Sequence, residues 1–226
     1  MRTIHAIEQE SYAILRRELS AAYPQADSWP PLARAVLERV VHASADLDYA
    51  TDLSTPDEQI LAEAVEALAA GTPIVADVAM VAAGITRREA ICRITDPLAA
   101  TRAAEAGTTR SAAALRLAAR AAGPGAIYVI GCAPTALFEL IEHADDLRPL
   151  LVIGLPVGFV GAKESKQALR EAAAAPGVLH GRAVSNRSGK GGSAVAAAAL
   201  NALLYHEAPH PAAAIPAPTS LEGPLT

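Results

Sequence analysis

Apolar positions change their spacing about a third of the way along the chain. From Ala6 to Leu19 the residues Ile7, Ile14 and Leu15 share one face, which predicts an amphipathic helix. A loop with Tyr23, Pro24, Trp29, Pro30 and Pro31 follows. A second helix is predicted from Leu32 to Ala43, with Pro31 where a first-turn proline is tolerated. A third spans about Asp57 to Ala70, starts after Ser54-Thr55-Pro56 and stops at Gly71. Beyond it come short runs rich in Ile and Val: "PIVADV", "AICRIT", "AIYVIG", "LLVIGLP" and a weaker "VLHGRAV". Between them lie helical stretches, Pro97 to Ala106, Arg110 to Ala122, Pro134 to His143, Lys163 to Ala174 and Ser193 to Tyr205. Short apolar strands alternating with helices predict an α/β fold whose parallel sheet is covered on both faces.

Residues 1–206 read as one domain, with no repeat and no internal linker. The proline-rich segment 207–226, which contains "PHPAAAIPAPTSLEGPLT", has no periodicity and reads as a disordered tail.

Composition narrows the function classes. Aromatic residues are only 4% of an alanine-rich chain, so the core must come from small and branched aliphatic side chains. A net charge of -5 gives no electrostatic case for nucleic acid. Cys92 and Cys132 are far apart, which argues against a disulfide framework or zinc site and suits a reducing cytoplasm. The first residues show no basic region before an apolar run, and no run reaches the ~20 residues that span a bilayer. A cytoplasmic protein that does not enter a membrane is expected.

In parallel sheets, ligands collect outside the carboxyl ends of the strands. Here those ends lead into the polar turns "GCAPT", "GLPVGFVGAKES" and "SNRSGKGGS". Each opens a helix, where free N–H groups and the helix dipole favour anions. "RSGKGGS" is not a nucleotide phosphate loop. The position five before Gly189 is Val184 rather than glycine, and Gly191 rather than Ser or Thr follows Lys190. It is either a plain glycine turn or a place where Lys190 and the N–H groups of Gly191, Gly192 and Ser193 hold carboxylates. Arg110, behind two threonines, is either an exposed residue on a capped helix or an anion contact. Cys132 stands where a helix start lowers a thiol pKa, but no motif places a histidine beside it, and a small packing residue is preferred. His42 in "RVVHASADLDY" is a packed core residue or a functional one. Asp46 has helical pair spacing to it, but two ligands do not make a metal site. Arg39 lies three residues before His42 and shares its face.

The segments "ESYAIL", "RVVHA", "PIVADVAMVAAGITR", "TTRSAAAL", "GCAPTALFELIE", "VGFVGAKESKQAL" and "GGSAVAAAALNAL" occur in that order. Together they resemble the precorrin-8X methylmutases, or precorrin isomerases, of cobalamin biosynthesis, from about Ala6 to Leu204. The resemblance implies a three-layer α/β/α single domain with a mostly parallel central sheet, working as a homodimer without a cofactor or protein-bound metal. The implied reaction is an acid-assisted 1,5-sigmatropic methyl shift from C-11 to C-12 of precorrin-8X or cobalt-precorrin-8, giving hydrogenobyrinic or cobyrinic acid. It implies His42 as the catalytic residue and Ser11 and Arg39 as substrate contacts. Thr86, Arg110, Ser111, Gly191, Gly192 and Ser193, in other matched segments, complete the expected contact set. The approach "AVSNRSGKGGS" is longer and more polar than the family's usual one, so Arg182, Arg187 and Lys190 all remain candidates for a carboxylate contact. A non-catalytic tetrapyrrole carrier is the alternative function; a proton donor at His42 favours the enzyme.

Overall fold

The computed structural model describes residues 6–206, so the expected tail lies outside the described residues. Its strands are β1 (Leu53–Ser54), β2 (Ile74–Ala76), β3 (Ile127–Ile130), β4 (Leu151–Gly154) and β5 (Ala183–Asn186). They form one sheet in the order β1-β5-β4-β3-β2. β2 to β5 are parallel, with Ile127 opposite both Ile74 and Leu151, and β1 pairs antiparallel with β5.

Helices cover both faces. The N-terminal part supplies α1 (Ala6–Ala22), α2 (Pro31–Ser44), the single turn α3 (Tyr49–Asp52) and α4 (Glu58–Ala69). After β2 come α5 (Ala79–Gly84), α6 (Pro97–Ala106) and α7 (Arg110–Ala122). α8 (Pro134–Glu142) and the short α9 (Ala144–Leu147) link β3 to β4, α10 (Ala162–Ala174) links β4 to β5, and α11 (Ser193–Leu204) follows.

Strand side chains alternate between two cores. Ile74, Ile127, Val129, Leu151, Ile153 and Val184 pack under α1, α2, α4 and α11. Val75, Tyr128, Ile130 and Val152 pack against Leu115 of α7, Leu137 of α8 and Leu169 of α10. Because β2 to β5 are added in one direction, right-handed crossovers place α7, α8 and α10 on the same face. The opposite face is closed by the first helices, α5 and α11. The seven strand residues expected to be buried, Ile74, Val75, Ile127, Val129, Leu151, Val152 and Ile153, are all at most 1% exposed.

The run "AICRIT" differs from expectation. Only Ile91 bridges to the sheet, parallel to Val75, and the chain then leaves for α6. Ile91 N–H donates to the Ile74 carbonyl and its own carbonyl accepts from Ala76, which uses both of its backbone groups. The chain then turns toward the Asp96 cap, whose carboxylate accepts from Leu98 N–H. Close approach fixes Gly131 at the end of β3: a Cβ there would meet Val81 Cγ2 at 2.8 Å and the Ser193 backbone at 2.9 Å. That contact seats the first turn of α11 directly on the sheet.

Candidate active site

His42 lies in the last turn of α2. Its side chain is exposed rather than packed into the core. The imidazole stacks on Tyr12 of α1, with ring centroids 4.7 Å apart and planes 8° apart. Ser11 Oγ is 3.3 Å from His42 Nδ1. One ring face and one ring nitrogen are therefore engaged by neighbouring residues of α1. Tyr12 is almost fully buried, and burial raises its hydroxyl pKa against the lowering effect of Arg39.

Arg39, one turn before His42, has its guanidinium carbon 5.8 Å from the Tyr12 centroid and 5.2 Å from that of Tyr205. Its Nη1 is 3.4 Å from Glu8 Oε1. Thr86 shares a 2.6 Å hydrogen bond with the Tyr205 hydroxyl, and its N–H donates to Asn201 Oδ1. Ser11, Arg39, His42 and Thr86 are thereby linked through two tyrosines, Tyr12 and Tyr205, that sequence reasoning passed over. Only their proximity to Ser11 and to the end of α11 marks them, and neither pattern is local.

The glycine-rich turn after β5 is joined by charge to the loop that follows α2. Lys190 Nζ is 2.7 Å from Asp46 Oδ2 and 3.0 Å from Asp48 Oδ2, and Tyr23 donates to Asp48 at 2.7 Å. Hydrogen bonds to Asp46 and Asp48 hold the Lys190 pKa above its usual value. Asp46 follows Ala45, which terminates α2 at φ 53°. It turns away from the helix, so His42 and Asp46 are not a helical ligand pair.

The anion-binding potential read from two turns is real, but the protein fills much of it with its own carboxylates. After β3, Asp77 accepts N–H groups from Gly131, Cys132 and Ala133 at 2.8–3.1 Å. Burial nonetheless raises the Asp77 pKa. In the turn after β5, Asp52 accepts from the N–H groups of Arg187 and Ser188, from Ser188 Oγ and from Asn186 Nδ2. Burial opposes ionisation of Asp52, but these bonds outweigh it and lower its pKa. Gly192 N–H donates to the Leu155 carbonyl, so its amide is not available to a ligand, contrary to expectation. Lys190, too, is occupied by Asp46 and Asp48. Gly191 has φ 149°, and a Cβ there would run into the Leu155 and Pro156 carbonyls. The start of α11 has no side-chain cap.

Of the three cations left open, Arg182 precedes β5 and donates to the Leu150 carbonyl, at the end of the sheet away from these turns. Arg187 and Lys190 lie at the carboxyl end. Arg110 and Ser111 begin α7, whose Thr109 cap bonds Thr135 of α8. These two helices cover the sheet face opposite α2, and among the described residues no hydrogen bond or ion pair joins Arg110 or Ser111 to the His42 group. Cys132 is exposed, not a packing residue; partial desolvation of the thiol and the nearby Asp77 charge raise its pKa, which disfavours a nucleophile. Glu139, Glu142 and His143 on α8 have the spacing of a metal cluster. Glu139 instead binds the Arg116 guanidinium and lies 3.0 Å from His143 Nε2.

The precorrin-8X methylmutase family model matches residues 6–206. The cobalt-precorrin-8 methylmutase of Salmonella typhimurium is 38% identical over 207 residues, covering 88% of this chain and 94% of that protein. The precorrin-8X methylmutase of Pseudomonas aeruginosa is 42% identical over 207 residues, covering 88% and 93%. The crystal structure of precorrin-8x methyl mutase from Thermus thermophilus superposes with a TM-score of 0.72 at 32% identity, covering 88% of this chain and 96% of that one.

Proposed function

The chain belongs to the precorrin-8X methylmutase family, and from that premise we propose that His42 is the proton donor for a methyl shift on a corrinoid ring. The protein is an isomerase of cobalamin biosynthesis acting on precorrin-8X or its cobalt form. In the proposed reaction a methyl group moves from C-11 to C-12. Protonation of a ring nitrogen leaves the conjugated system electron-poor and eases the migration. General acid help of this kind contributes about 10²–10⁴-fold. Binding of the ring near its transition-state shape supplies the rest.

The single observation that carries this reading is that His42 is exposed yet held in place, stacked on Tyr12 and within reach of Ser11. A packing histidine would be covered. Ser11 Oγ at Nδ1 leaves Nε2 as the nitrogen that meets the substrate. Ser11 therefore orients the donor, in place of the direct substrate contact expected of it. Arg39 and Thr86 supply polar contacts beside the donor. Arg110, Ser111, Gly191 and Ser193 are proposed as contacts to the outlying carboxylates.

Residues 1–206 are proposed to form the functional domain, in the cytoplasm and as a homodimer. Two cavities of about 310 and 280 Å³ lie beside Arg102, Arg116 and Arg120 and beside Trp29 and Glu58, and neither contains an expected site residue. The His42 surface is open, and Met80, Val157, Phe159 and Val160 are exposed apolar side chains that association would cover. A monomeric mass at micromolar concentration would rule out the dimer. No helix among the described residues is long and apolar enough to cross a membrane.

The test of function is single-turnover conversion of precorrin-8X, followed by absorption, with binding measured separately by titration. His42→Ala should bind the corrinoid and convert it at least about 10²-fold more slowly. Conversion near the parent rate would remove His42 from the mechanism.

A further inference from the structure

Arg87 follows Thr86 in the loop after α5. Its guanidinium carbon lies 4.1 Å from the Tyr205 ring centroid, and Nη1 donates to the Leu204 carbonyl at 3.0 Å. Tyr205 is itself fixed by the 2.6 Å bond between its hydroxyl and Thr86 Oγ1. The loop is fixed in turn, because Asn201 accepts from Thr86 N–H and donates to the Gly84 carbonyl at 2.8 Å. Arg39 approaches the same phenol ring at 5.2 Å. One tyrosine thus positions two guanidiniums.

The two arginines differ in charge balance. Arg39 has Glu8 beside it. The groups that pin Arg87 are a carbonyl oxygen and an aromatic face, and neither carries a net charge. Among the described residues no carboxylate forms an ion pair with Arg87. The side chain is exposed. It therefore offers an unneutralised planar fork of donors whose conformation is already restricted. That restriction lowers the entropy lost when an anion binds.

We propose that Arg87 is a substrate-binding residue that takes one acetate or propionate carboxylate from the rim of the macrocycle, with Tyr205 as the shelf that holds its guanidinium. The inference rests on the corrinoid reading above and adds to it a contact outside the expected set. Neighbouring Thr86, already an expected contact, places Arg87 on the substrate side of the loop. Arg39 and Arg87, held by a common ring, make this edge selective for a ligand with more than one carboxylate.

The experiment compares hydrogenobyrinic acid with its methyl esters as probes, titrated by absorption against the parent protein, Arg87→Ala and Arg87→Gln. The glutamine variant keeps a polar amide donor on a shorter stem and removes the charge and the guanidinium fork. Thermal midpoints establish that each variant is folded. The expected result is a rise in Kd for the free acid of about 10-fold or more in both variants, the scale of a charged hydrogen bond. The Kd of the esters should stay within about twofold of the parent. Equal weakening for acid and esters, or no weakening, would overturn the role given to Arg87. Parent protein that binds and converts precorrin-8X while Arg87→Ala binds the acid normally would sink this inference and leave the function standing. Parent protein that neither binds nor converts the corrinoid would sink both.

Discussion

His42 lies flat against Tyr12, 4.7 Å from centroid to centroid and 8° from parallel. This contact fixes the plane of the proposed proton donor, and the Ser11 hydroxyl at Nδ1 fixes its rotation in that plane. Aromatic stacking of this kind is worth about 0.5–1.5 kcal/mol. Tyr12→Leu should therefore slow the single-turnover methyl shift by roughly 2- to 12-fold, with product binding little changed. Tyr12→Phe keeps the flat surface and should stay near the parent rate. Equal rates for the leucine and phenylalanine variants would show that the stack has no part in orienting the donor.

Ser11→Ala tests the second constraint. A neutral hydrogen bond contributes about 0.5–1.5 kcal/mol net, so a rate loss of a few-fold up to about tenfold is expected. The loss should appear in the rate at saturating substrate rather than in the dissociation constant. A change confined to the dissociation constant would make Ser11 a substrate contact instead.

Asp77 ties β2 to the turn after β3 through three N–H groups. Asp77→Asn puts an amide NH₂ against at least one of those donors. Leaving buried donors unpaired costs about 1–3 kcal/mol each. We expect stability to fall by at least about 2 kcal/mol, which lowers the thermal midpoint of a chain this size by roughly 4–8 °C. An unchanged midpoint would mean that water replaces the carboxylate without loss.

Lys166 on α10 is 0% exposed. It donates to Asn186 Oδ1 at 2.8 Å and to the Lys190 carbonyl at 2.5 Å. Burial lowers its pKa from 10.5 to about 8. Between pH 8 and 10.5 the unfolded chain holds a proton that the folded chain has released. Stability must therefore rise with pH across that window, and the burden of the buried charge is fully present below it. The measurement is the unfolding free energy of the parent minus that of Lys166→Met, followed against pH. It should increase from pH 8 to 10.5. A flat difference would show that the two carbonyl acceptors compensate burial completely.

Tyr128 lies within β3 with a buried hydroxyl that has no hydrogen-bond partner among the described residues, and burial pushes its pKa up to about 12. Tyr128→Phe removes the unpaired group and keeps the ring that packs against Leu115 and Leu137. Stabilisation of about 1 kcal/mol is expected, read as a higher denaturant midpoint at constant m-value. Destabilisation would reveal an acceptor, such as a buried water, that the hydroxyl depends on.

What the sequence made legible was local. The apolar runs around Ile127 and Leu151 announced buried parallel strands because both alternating faces are apolar. The helix before Gly71 was marked by its stop. What stayed hidden was pairing across the chain. β1 has two residues and no period to detect. The turns "GCAPT" and "SNRSGKGGS" had the right chemistry for anions, yet their anions are Asp77 and Asp52, which no local pattern connects to them. His42, Arg39, Ser11 and Thr86 came from family resemblance rather than periodicity. Tyr12 and Tyr205, which bind that group together, look like ordinary core and helix-end residues until α1, α2 and α11 are seen side by side.

The one-way order of β2 to β5 has a consequence for synthesis. It places α7, α8 and α10 on one side of the sheet, and the other side is roofed jointly by the first helices, the short α5 and α11. A ribosome delivers α2 before α11. The helix bearing His42, the proposed proton donor, is thus made well before α11, which packs against it. Until α11 is made, α1, α4 and the strands cover only part of its apolar side. A stop codon within α11 would spare every expected substrate contact through Ser193 and still yield an inactive product, because His42 would rest on a roof that never closed.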